Sequence, residues 1–409
     1  MFKYCRLPLT FAFALLPYYL SAQNAAAPAA TASSTTAKPL PADAPAGTGP
    51  SNVPLAGAHE PVTQYKAGPG AIPKTITSPL GRPMTLTWND EFDAVTDTDG
   101  KPYIDRSKWQ TTFWQGSSQR TLLGNGETQY YMDKDYAGKN NLPPDQRPNP
   151  FSFEKPGILT ISATKTPEAL WSNYWMGKER CISSGLLISD RRFTFKYGYV
   201  EGRFKLPMER GSWPGFWLLA DDMPLGTPPG DPKTTGTGMW YTKEDIKARP
   251  WPPEIDILEA MGVWKSKFDT GYIAPKTEKI KVSQWMHDIG TNLGDDFHTW
   301  GMEWDENNMV WTLDGKIIAH GKVTPSFQRS FYLLINLAAG GNWYSKVMTV
   351  AKMPYAYWQV DWDSMPWKME CDYVRVYQAD PNIPPSAPLT VDGAEGAGHH
   401  NQNGTAPGN

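Results

Sequence analysis

The sequence is poor in the residues that build metal centres and nucleic-acid surfaces. Its 409 residues include only 3 cysteines and 6 histidines, and neither type recurs at the short spacing of a zinc site. The chain has 39 basic and 42 acidic residues, a formal net charge of −3, and no basic run. We therefore expect no nucleic-acid partner and no catalytic zinc ion.

Long hydrophobic runs are also missing, apart from one at the amino terminus. Lys3 and Arg6 precede an apolar run of about 14 residues, and small residues follow it at 21–22. Such a run is shorter than the roughly 20 residues that cross a bilayer, and the pattern is typical of an export signal. We predict a signal peptide over 1–22, a secreted or periplasmic protein, and no membrane span after signal removal. A retained membrane anchor is the alternative.

Only two cysteines, Cys181 and Cys371, remain once the signal is removed. An oxidising compartment would allow them to pair, but a sequence does not tell whether two Cα atoms come within bonding range. A disulfide and two free thiols are therefore both open.

Low-complexity segments flank one central region. Residues 23–75 are rich in Ala, Pro, Thr, Ser and Gly, and residues 380–409 have a similar composition. Both hold too little apolar bulk to offset the entropy of ordering, so we predict a disordered linker and a disordered tail. Residues 76–379 are expected to form one domain, and we expect the protein to be a monomer.

Strand signals dominate the central region, and helix signals are few. The stretches TLTW at 85–88 and GYVEGRFK at 198–205 read as strands, and MVWTLDGK at 309–316 reads as a hairpin with an Asp-Gly turn. Many short strands with turns between them predict an all-β sandwich or jelly roll. Aromatic residues make up 13% of the chain, which suits both a β core and contact with sugar rings.

Three acidic residues are concentrated in the segment EIDILE, residues 254–259, which follows a long Pro-rich loop. Because side chains alternate on a strand, Glu254 and Asp256 share one face, whereas regular alternation would bury Glu259 on the apolar face. One extra residue, a β-bulge near Ile257, returns Glu259 to the acidic face. Glycoside hydrolysis needs one ionised and one protonated carboxyl group, and crowded acids provide this difference. A solvated acidic face or a calcium site is the alternative.

Further segments follow one another in an order that resembles glycoside hydrolase family 16. The resemblance is to the form with a bulged catalytic strand, which laminarinases and bacterial exopolysaccharide endo-β-glucanases share. The matching segments are WNDEF at 88–92, GNGETQYY at 124–131, YGYVEGRFKLP at 197–207, GSWPGFWLL at 211–219, FHTWGMEW at 297–304, NLAAGGNW at 336–343 and DYVRVY at 372–377. The resemblance implies a β-jelly-roll sandwich of two curved antiparallel sheets with a concave substrate cleft.

A catalytic role for the acidic segment also follows from this resemblance. It implies a retaining, endo-acting hydrolase in which Glu254 is the nucleophile, Glu259 the general acid/base and Asp256 the assistant of Glu254, with no cofactor for catalysis. The expected partner is a polysaccharide, and the favoured substrate is a β-1,3- or mixed 1,3-1,4-glucan or a bacterial exopolysaccharide. A galactan hydrolase of the agar or carrageenan type, a transglycosylase and a non-catalytic glycan-binding protein are the alternatives.

Less central residues resemble family positions as well, and each has a structural role as its alternative. The implied sugar contacts are Trp213, Trp217, Asn125, Asn336 and Trp343. A structural calcium ion is implied near Glu91, the carbonyl group of Gly157 and Asp372, because calcium prefers oxygen ligands. The chain departs from the family in residues 269–276, which lack the histidine that many members of this kind carry.

Overall fold

The computed structural model describes nine stretches of the chain. They are residues 72–113, 120–122, 125–174, 176–177, 180–221, 253–274, 278–279, 284–341 and 360–389. The predicted signal peptide, nearly all of the predicted linker, most of the Pro-rich loop and Trp343 lie outside the described residues. Within these stretches, no helix is long and apolar enough to cross a membrane.

Strands form almost all of the regular structure in the described stretches. In chain order they are β1 (Thr75–Thr77), β2 (Pro83–Asp90), β3 (Val95–Thr96), β4 (Pro102–Tyr103), β5 (Gln129–Tyr131), β6 (Phe151–Lys155), β7 (Ile158–Lys165), β8 (Ile182–Ser184), β9 (Leu186–Ile188), β10 (Gly198–Lys205), β11 (Ser212–Ala220), β12 (Glu254–Ala260), β13 (Lys267–Ile273), β14 (Gln284–Asp288), β15 (His298–Trp304), β16 (Met309–Leu313), β17 (Lys316–Gly321), β18 (Phe331–Ala339) and β19 (Trp367–Gln378). The helical elements are α1 (Glu168–Tyr174) and 3-10 turns at Pro144–Gln146, Pro325–Phe327 and Trp362–Ser364. The strand predicted at 198–205 and the hairpin predicted at 309–316 are confirmed.

Two sheets account for nearly all the described strands. The larger sheet runs in the order β17-β16-β15-β10-β19-β7-β8-β5, with β1, β2 and β6 attached to it, and the smaller runs β14-β13-β12-β11-β18-β9. Among the described pairings, only β5 with β8 is parallel. Strands far apart in sequence lie side by side, as β10 does with β15 and β19. The predicted antiparallel jelly roll is confirmed.

An aromatic-rich core separates the two sheets. In β11, Phe216 and Leu218 point into this core together with Trp300 of the larger sheet. Alternation along the strand directs Trp213 and Trp217 to the other side of the smaller sheet. We call this side of β11, β12 and β13 the site face.

The carboxyl-terminal segment continues beyond β19 and lies against the turn between β15 and β16. The backbone N–H of Ser386 donates to Asp305 at 2.7 Å, and the backbone N–H of Leu389 donates to Oδ1 of Asn308 at 2.8 Å. The first ten residues of the predicted tail are therefore held to the domain. Elsewhere, Cys181 and Cys371 are both buried, and the two do not form a disulfide in this structure.

Candidate active site

The bulge predicted near Ile257 is present in β12. On β13, Gly271 lies opposite Asp256 and Asp269 lies opposite Glu259, so two steps on β13 match three on β12. The register with β11 shifts at the same place. The extra residue changes which face the following side chains occupy.

The consequence of the bulge is a separation of apolar and acidic side chains. Ile257 and Leu258 are consecutive, yet both belong to the core between the sheets. Glu254, Asp256 and Glu259 therefore share the site face. The spacing of the acids in the sequence, two residues and then three, is explained by this geometry.

A tryptophan of the opposite sheet contacts the bulge from the core side. The indole Nε1 of Trp311, in β16, donates a 2.9 Å hydrogen bond to the main-chain carbonyl group of Asp256. Trp311 is fully buried and stacks on Tyr272 of β13 with 5.9 Å between ring centroids. A bulge interrupts the strand ladder, so a donor from elsewhere is needed for a buried carbonyl group. Sequence reasoning missed this residue and saw only its place in a hairpin.

The carboxyl groups on the bulged strand influence one another strongly. Burial, and then the charge of Glu254 and a hydrogen bond with it, raise the pKa of Asp256 well above its usual value. Burial, and then the charges of Asp256 and Asp269, raise the pKa of Glu259 well above its usual value. Within the described part of the chain, no basic side chain forms an ion pair with Asp256 or Glu259. Both groups therefore favour the protonated form.

Trp213 and Trp217 lie on the site face, as their spacing predicted. Nε1 of Trp213 donates a 3.1 Å hydrogen bond to Oε1 of Glu259. Nε1 of Trp217 donates at 2.7 Å to Oδ1 of Asn336, whose Nδ2 donates at 2.9 Å to the hydroxyl group of Tyr131. The two tryptophans are only 7% and 8% exposed. Each thus has a defined partner inside the protein, and their contact with sugar stays a prediction.

Glycines flank two of the acids on the site face. Gly215 of β11 lies opposite Glu259, and Gly271 of β13 lies opposite Asp256. A Cβ atom at Gly215 would come within 3.0 Å of Oδ1 of Asn336. The glycine at 215 therefore allows the side chain of Asn336 to pack closely against β11, beside Glu259.

Comparison with known proteins agrees with this arrangement. Residues 229–363 match the family model described as Glycosyl hydrolases family 16. The endo-1,3-1,4-beta-glycanase ExsH of Rhizobium meliloti is 28% identical over 73% of this chain and 52% of its own length. The endo-1,3-1,4-beta-glycanase EglC of the same organism is 30% identical over 63% of this chain and 47% of its own length. These matches confirm the resemblance to glycoside hydrolase family 16 that the sequence motifs predicted.

The match concerns only part of these relatives, since this chain spans about half the length of each. The crystal structure of an endo-beta-1,3-glucanase from Pyrococcus furiosus aligns with 75% of this chain and 98% of that chain. Its TM-score is 0.51 at 24% sequence identity. That likeness supports the jelly-roll fold.

The loop before β5 adds a buried acid that sequence reasoning did not assign. Nδ2 of Asn125 donates a 3.1 Å hydrogen bond to Glu127, and Gln129 donates to the same carboxyl group. Burial raises the pKa of Glu127 to about 7, and its charge contributes to the raised pKa of Glu259. Asn125 thus supports Glu127, and its predicted sugar contact stays a prediction, as does that of Trp343.

A second unassigned acid lies on β13. Asp269 is opposite Glu259 and only 3% exposed. Burial raises its pKa to about 8. Sequence reasoning noted residues 269–276 only because they lack a histidine. Asp269 meets Glu259 through the pairing register of β12 and β13, which no local sequence pattern indicates.

The predicted calcium ligands lie on the outer face of the larger sheet. The carboxylate of Glu91 accepts hydrogen bonds of 2.9 and 2.6 Å from Arg375, and Asp372 pairs with Arg203. Gly157, in a turn with a φ of 70°, offers only backbone groups. No group of three or more His, Cys, Asp or Glu in the described stretches is arranged to hold a metal ion. These carboxylates do not fit a cation while arginines occupy them, and calcium binding stays a prediction.

Proposed function

We propose that this chain is a retaining, endo-acting glycoside hydrolase of family 16 whose substrate is a β-1,3- or mixed 1,3-1,4-glucan. The observation that carries the proposal is the bulge in β12, which brings Glu254, Asp256 and Glu259 onto one face. The names of the two Rhizobium meliloti relatives favour a glucan with mixed linkages. A polymeric substrate also accords with the export signal predicted over residues 1–22.

The first chemical step uses the two glutamates. The carboxylate of Glu254 attacks the anomeric carbon while Glu259 gives its proton to the glycosidic oxygen, and the bond between these two sugar atoms breaks. One part of the polymer leaves as an alcohol, and the other remains as an ester of Glu254. The raised pKa of Glu259 supports its role as acid, because a buried carboxyl group keeps its proton at neutral pH.

The second step returns the enzyme to its starting state. Glu259, now a carboxylate, takes a proton from water as the water oxygen attacks the anomeric carbon, and Glu254 leaves as a carboxylate. Two displacements at one carbon retain its configuration. Asp256, whose pKa is also raised, donates a hydrogen bond to Glu254 and thereby stabilises the negative charge on the nucleophile.

The test is hydrolysis of a panel of soluble polysaccharides by the full-length chain. The panel holds a β-1,3-glucan, a mixed 1,3-1,4-glucan, a bacterial exopolysaccharide and an agar-type galactan, and products are followed by reducing ends and chromatography. We expect internal cleavage of the glucans, with NMR of the first products showing the β-anomer. Cleavage of the galactan alone would favour a galactan hydrolase, and transfer to sugar acceptors would favour a transglycosylase. Binding with no new reducing ends would favour a non-catalytic glycan-binding protein.

Substitution of the nucleophile tests the mechanism directly. Glu254→Ala is expected to lower kcat/KM by about 10⁴-fold or more. The matched control is Glu154→Ala, which removes an exposed glutamate paired with Lys368 on the larger sheet. A Glu254→Ala variant that hydrolyses glucan at the rate of the control would refute the assignment.

The acid/base residue has a different signature. Glu259→Gln is expected to lower kcat/KM on glucan by roughly 10²–10⁴-fold. An aryl β-glucoside with an acidic phenol needs little protonation of its leaving group, so ester formation on Glu254 should persist and appear as a burst of phenol. A variant that loses the burst as completely as it loses glucan hydrolysis would contradict the role of Glu259.

A further inference from the structure

Asp269 is a buried acid that the proposed reaction does not use. It lies on β13 directly opposite Glu259 across the bulge, and residues in such positions have Cβ atoms roughly 4.5–5.5 Å apart. Its neighbours Phe268 and Tyr272 belong to the core between the sheets. Since Phe268 points inward, alternation places the carboxyl group of Asp269 on the site face beside Glu259.

The surroundings of Asp269 do not compensate for its charge. Among the described residues, no hydrogen bond or ion pair reaches its carboxyl group, and its partner on β14 is Met286. Lys267 lies two residues away, but its ammonium group pairs with Asp288 at 3.6 Å. Burying an uncompensated carboxyl group costs stability, so packing alone does not account for an acid at this position.

We propose that Asp269 is a positioning residue that acts through Glu259 and keeps the Glu259 carboxyl group protonated until it donates its proton to the leaving oxygen. This role rests on the proposed function. A negative charge on Asp269 opposes a second negative charge on Glu259, because little solvent screens the two groups from each other.

The groups that surround Glu259 agree with this role. They are Asp256 on β12, Asp269 on β13, Glu127 in the loop before β5 and the indole N–H of Trp213 on β11. The three acids favour the protonated form of Glu259, and within the described set only the N–H of Trp213 favours the ionised form. Burial is the main cause of the raised pKa of Glu259, and the charges of Asp256 and Asp269 raise it further.

The charge of Asp269 gives the sign of the expected effect. Burial raises the pKa of Asp269 to about 8, so its carboxyl group is charged on the alkaline side of that pH. There its charge opposes the loss of the proton from Glu259, with which it is paired across the two strands. Asp269→Asn removes that charge with little change of volume, so Glu259 should lose its proton at a lower pH.

The experiment is the pH dependence of kcat/KM for full-length wild type, Asp269→Asn and Asp288→Asn on whichever glucan the wild type hydrolyses. The alkaline limb is the fall of kcat/KM above the pH optimum. In Asp269→Asn we expect this fall to occur about one pH unit lower than in wild type, with a much smaller change on the acidic side of the optimum. Asp288→Asn is the matched control, because it removes an exposed aspartate on the adjacent strand, and it should follow wild type. Asp269→Glu should return the limb toward the wild-type position.

Two results would overturn the proposal. One is an unshifted alkaline limb in folded Asp269→Asn, and the other is an equal loss of kcat/KM at every pH, which a purely structural role would give. Asp269→Ser is measured in parallel, and circular dichroism shows whether each variant folds. If one variant does not fold, the other still gives the pH at which kcat/KM falls above the optimum. A wild type that hydrolyses none of the polymers would refute the proposed function instead, so the two failures are distinguishable.

Discussion

The outer face of the larger sheet and the site face of the smaller sheet both carry acids, but they surround them differently. On the outer face, the carboxylate of Glu91 is held by two hydrogen bonds from Arg375, and Arg375 also lies 4.0 Å from Glu201. Asp372 of β19 pairs with Arg203 of β10. Each of these acids has a guanidinium group as its partner.

The described part of the site face holds no such partner for its buried acids. Within the described residues, Asp256, Glu259 and Asp269 are surrounded by other carboxyl groups and by the indole of Trp213. Burial raises the pKa of Glu201 to about 7 and also raises that of Asp372, and the neighbouring arginines oppose these rises. On the site face, the charges of other acids add to the effect of burial on Asp256 and Glu259. The outer face therefore offsets the charges of its acids with arginines, whereas the acids of the site face lack such cations among the described residues, as the proposed proton transfer requires.

The largest expected effect concerns the outer face. Arg375→Met should lower the free energy of unfolding by about 3–5 kcal/mol, because Glu91 and Glu201 would lose their cation while both are partly buried. The folded fraction should retain its kcat/KM, since the site face is unchanged. Urea unfolding followed by tryptophan fluorescence measures the first quantity, and glucan hydrolysis at low temperature measures the second.

A matched variant shows whether burial is the cause. Lys368→Met removes the cation of an exposed ion pair with Glu154, and it should cost less than about 1 kcal/mol. If Arg375→Met costs no more than Lys368→Met, the outer face is not stabilised by its ion pairs, and the comparison between the two faces fails.

Sequence reasoning found the features that are local in the chain. The alternation of Ile255 and Ile257 with the acids predicted the core face of β12, and the misplaced Glu259 predicted the bulge. The positions of Trp213 and Trp217 on one face followed from their spacing alone. These features depend on neighbours along a single strand, where side-chain alternation is a reliable guide.

The features that sequence reasoning missed depend on strand register. Asp269 meets Glu259 only because β13 pairs with β12 at one specific offset, and Trp311 reaches Asp256 across the core from the other sheet. Shifting a strand by one residue would turn Asp269 away from the site. The loops that fix such offsets carry no periodic pattern, so a single sequence does not reveal these contacts.

The next expected effect is a higher free energy of unfolding when Asp269, on the site face, is replaced by asparagine. The pKa of Asp269 is raised from its usual 3.8 to about 8, so the folded state favours the protonated form. The stability that depends on this proton is fully present below pH 3.8 and is lost as the pH rises to about 8. Asp269→Asn does not suffer this loss, so at pH 8 it should be more stable than wild type by about 2 kcal/mol or more.

Urea unfolding at pH 4, 6 and 8 measures this difference. The gain of Asp269→Asn over wild type should grow with each step in pH, whereas Asp288→Asn should show no gain, because that carboxylate is exposed and paired with Lys267. A constant difference between Asp269→Asn and wild type at all three pH values would show that the acid is not destabilising, and the two faces would then differ less than we infer.

The smallest expected effect distinguishes the hydrogen bond at the bulge from a similar hydrogen bond elsewhere in the core. Trp311→Phe removes the donor to the carbonyl group of Asp256, and Trp304→Phe removes an equivalent 3.2 Å hydrogen bond to the carbonyl group of Phe327. Both tryptophans are fully buried, so each variant should lose about 1–2 kcal/mol of unfolding free energy.

Only Trp311→Phe should also affect catalysis. Relaxation of the bulge would displace Asp256 and Glu259 relative to each other, and a displacement of this kind should lower kcat/KM by roughly tenfold. Trp304→Phe should retain the wild-type value at temperatures where it is folded, because its hydrogen bond lies away from β12. Equal losses of kcat/KM in the two variants would mean that the core supports the site in general, and that the hydrogen bond to the bulge has no separate role in placing the acids.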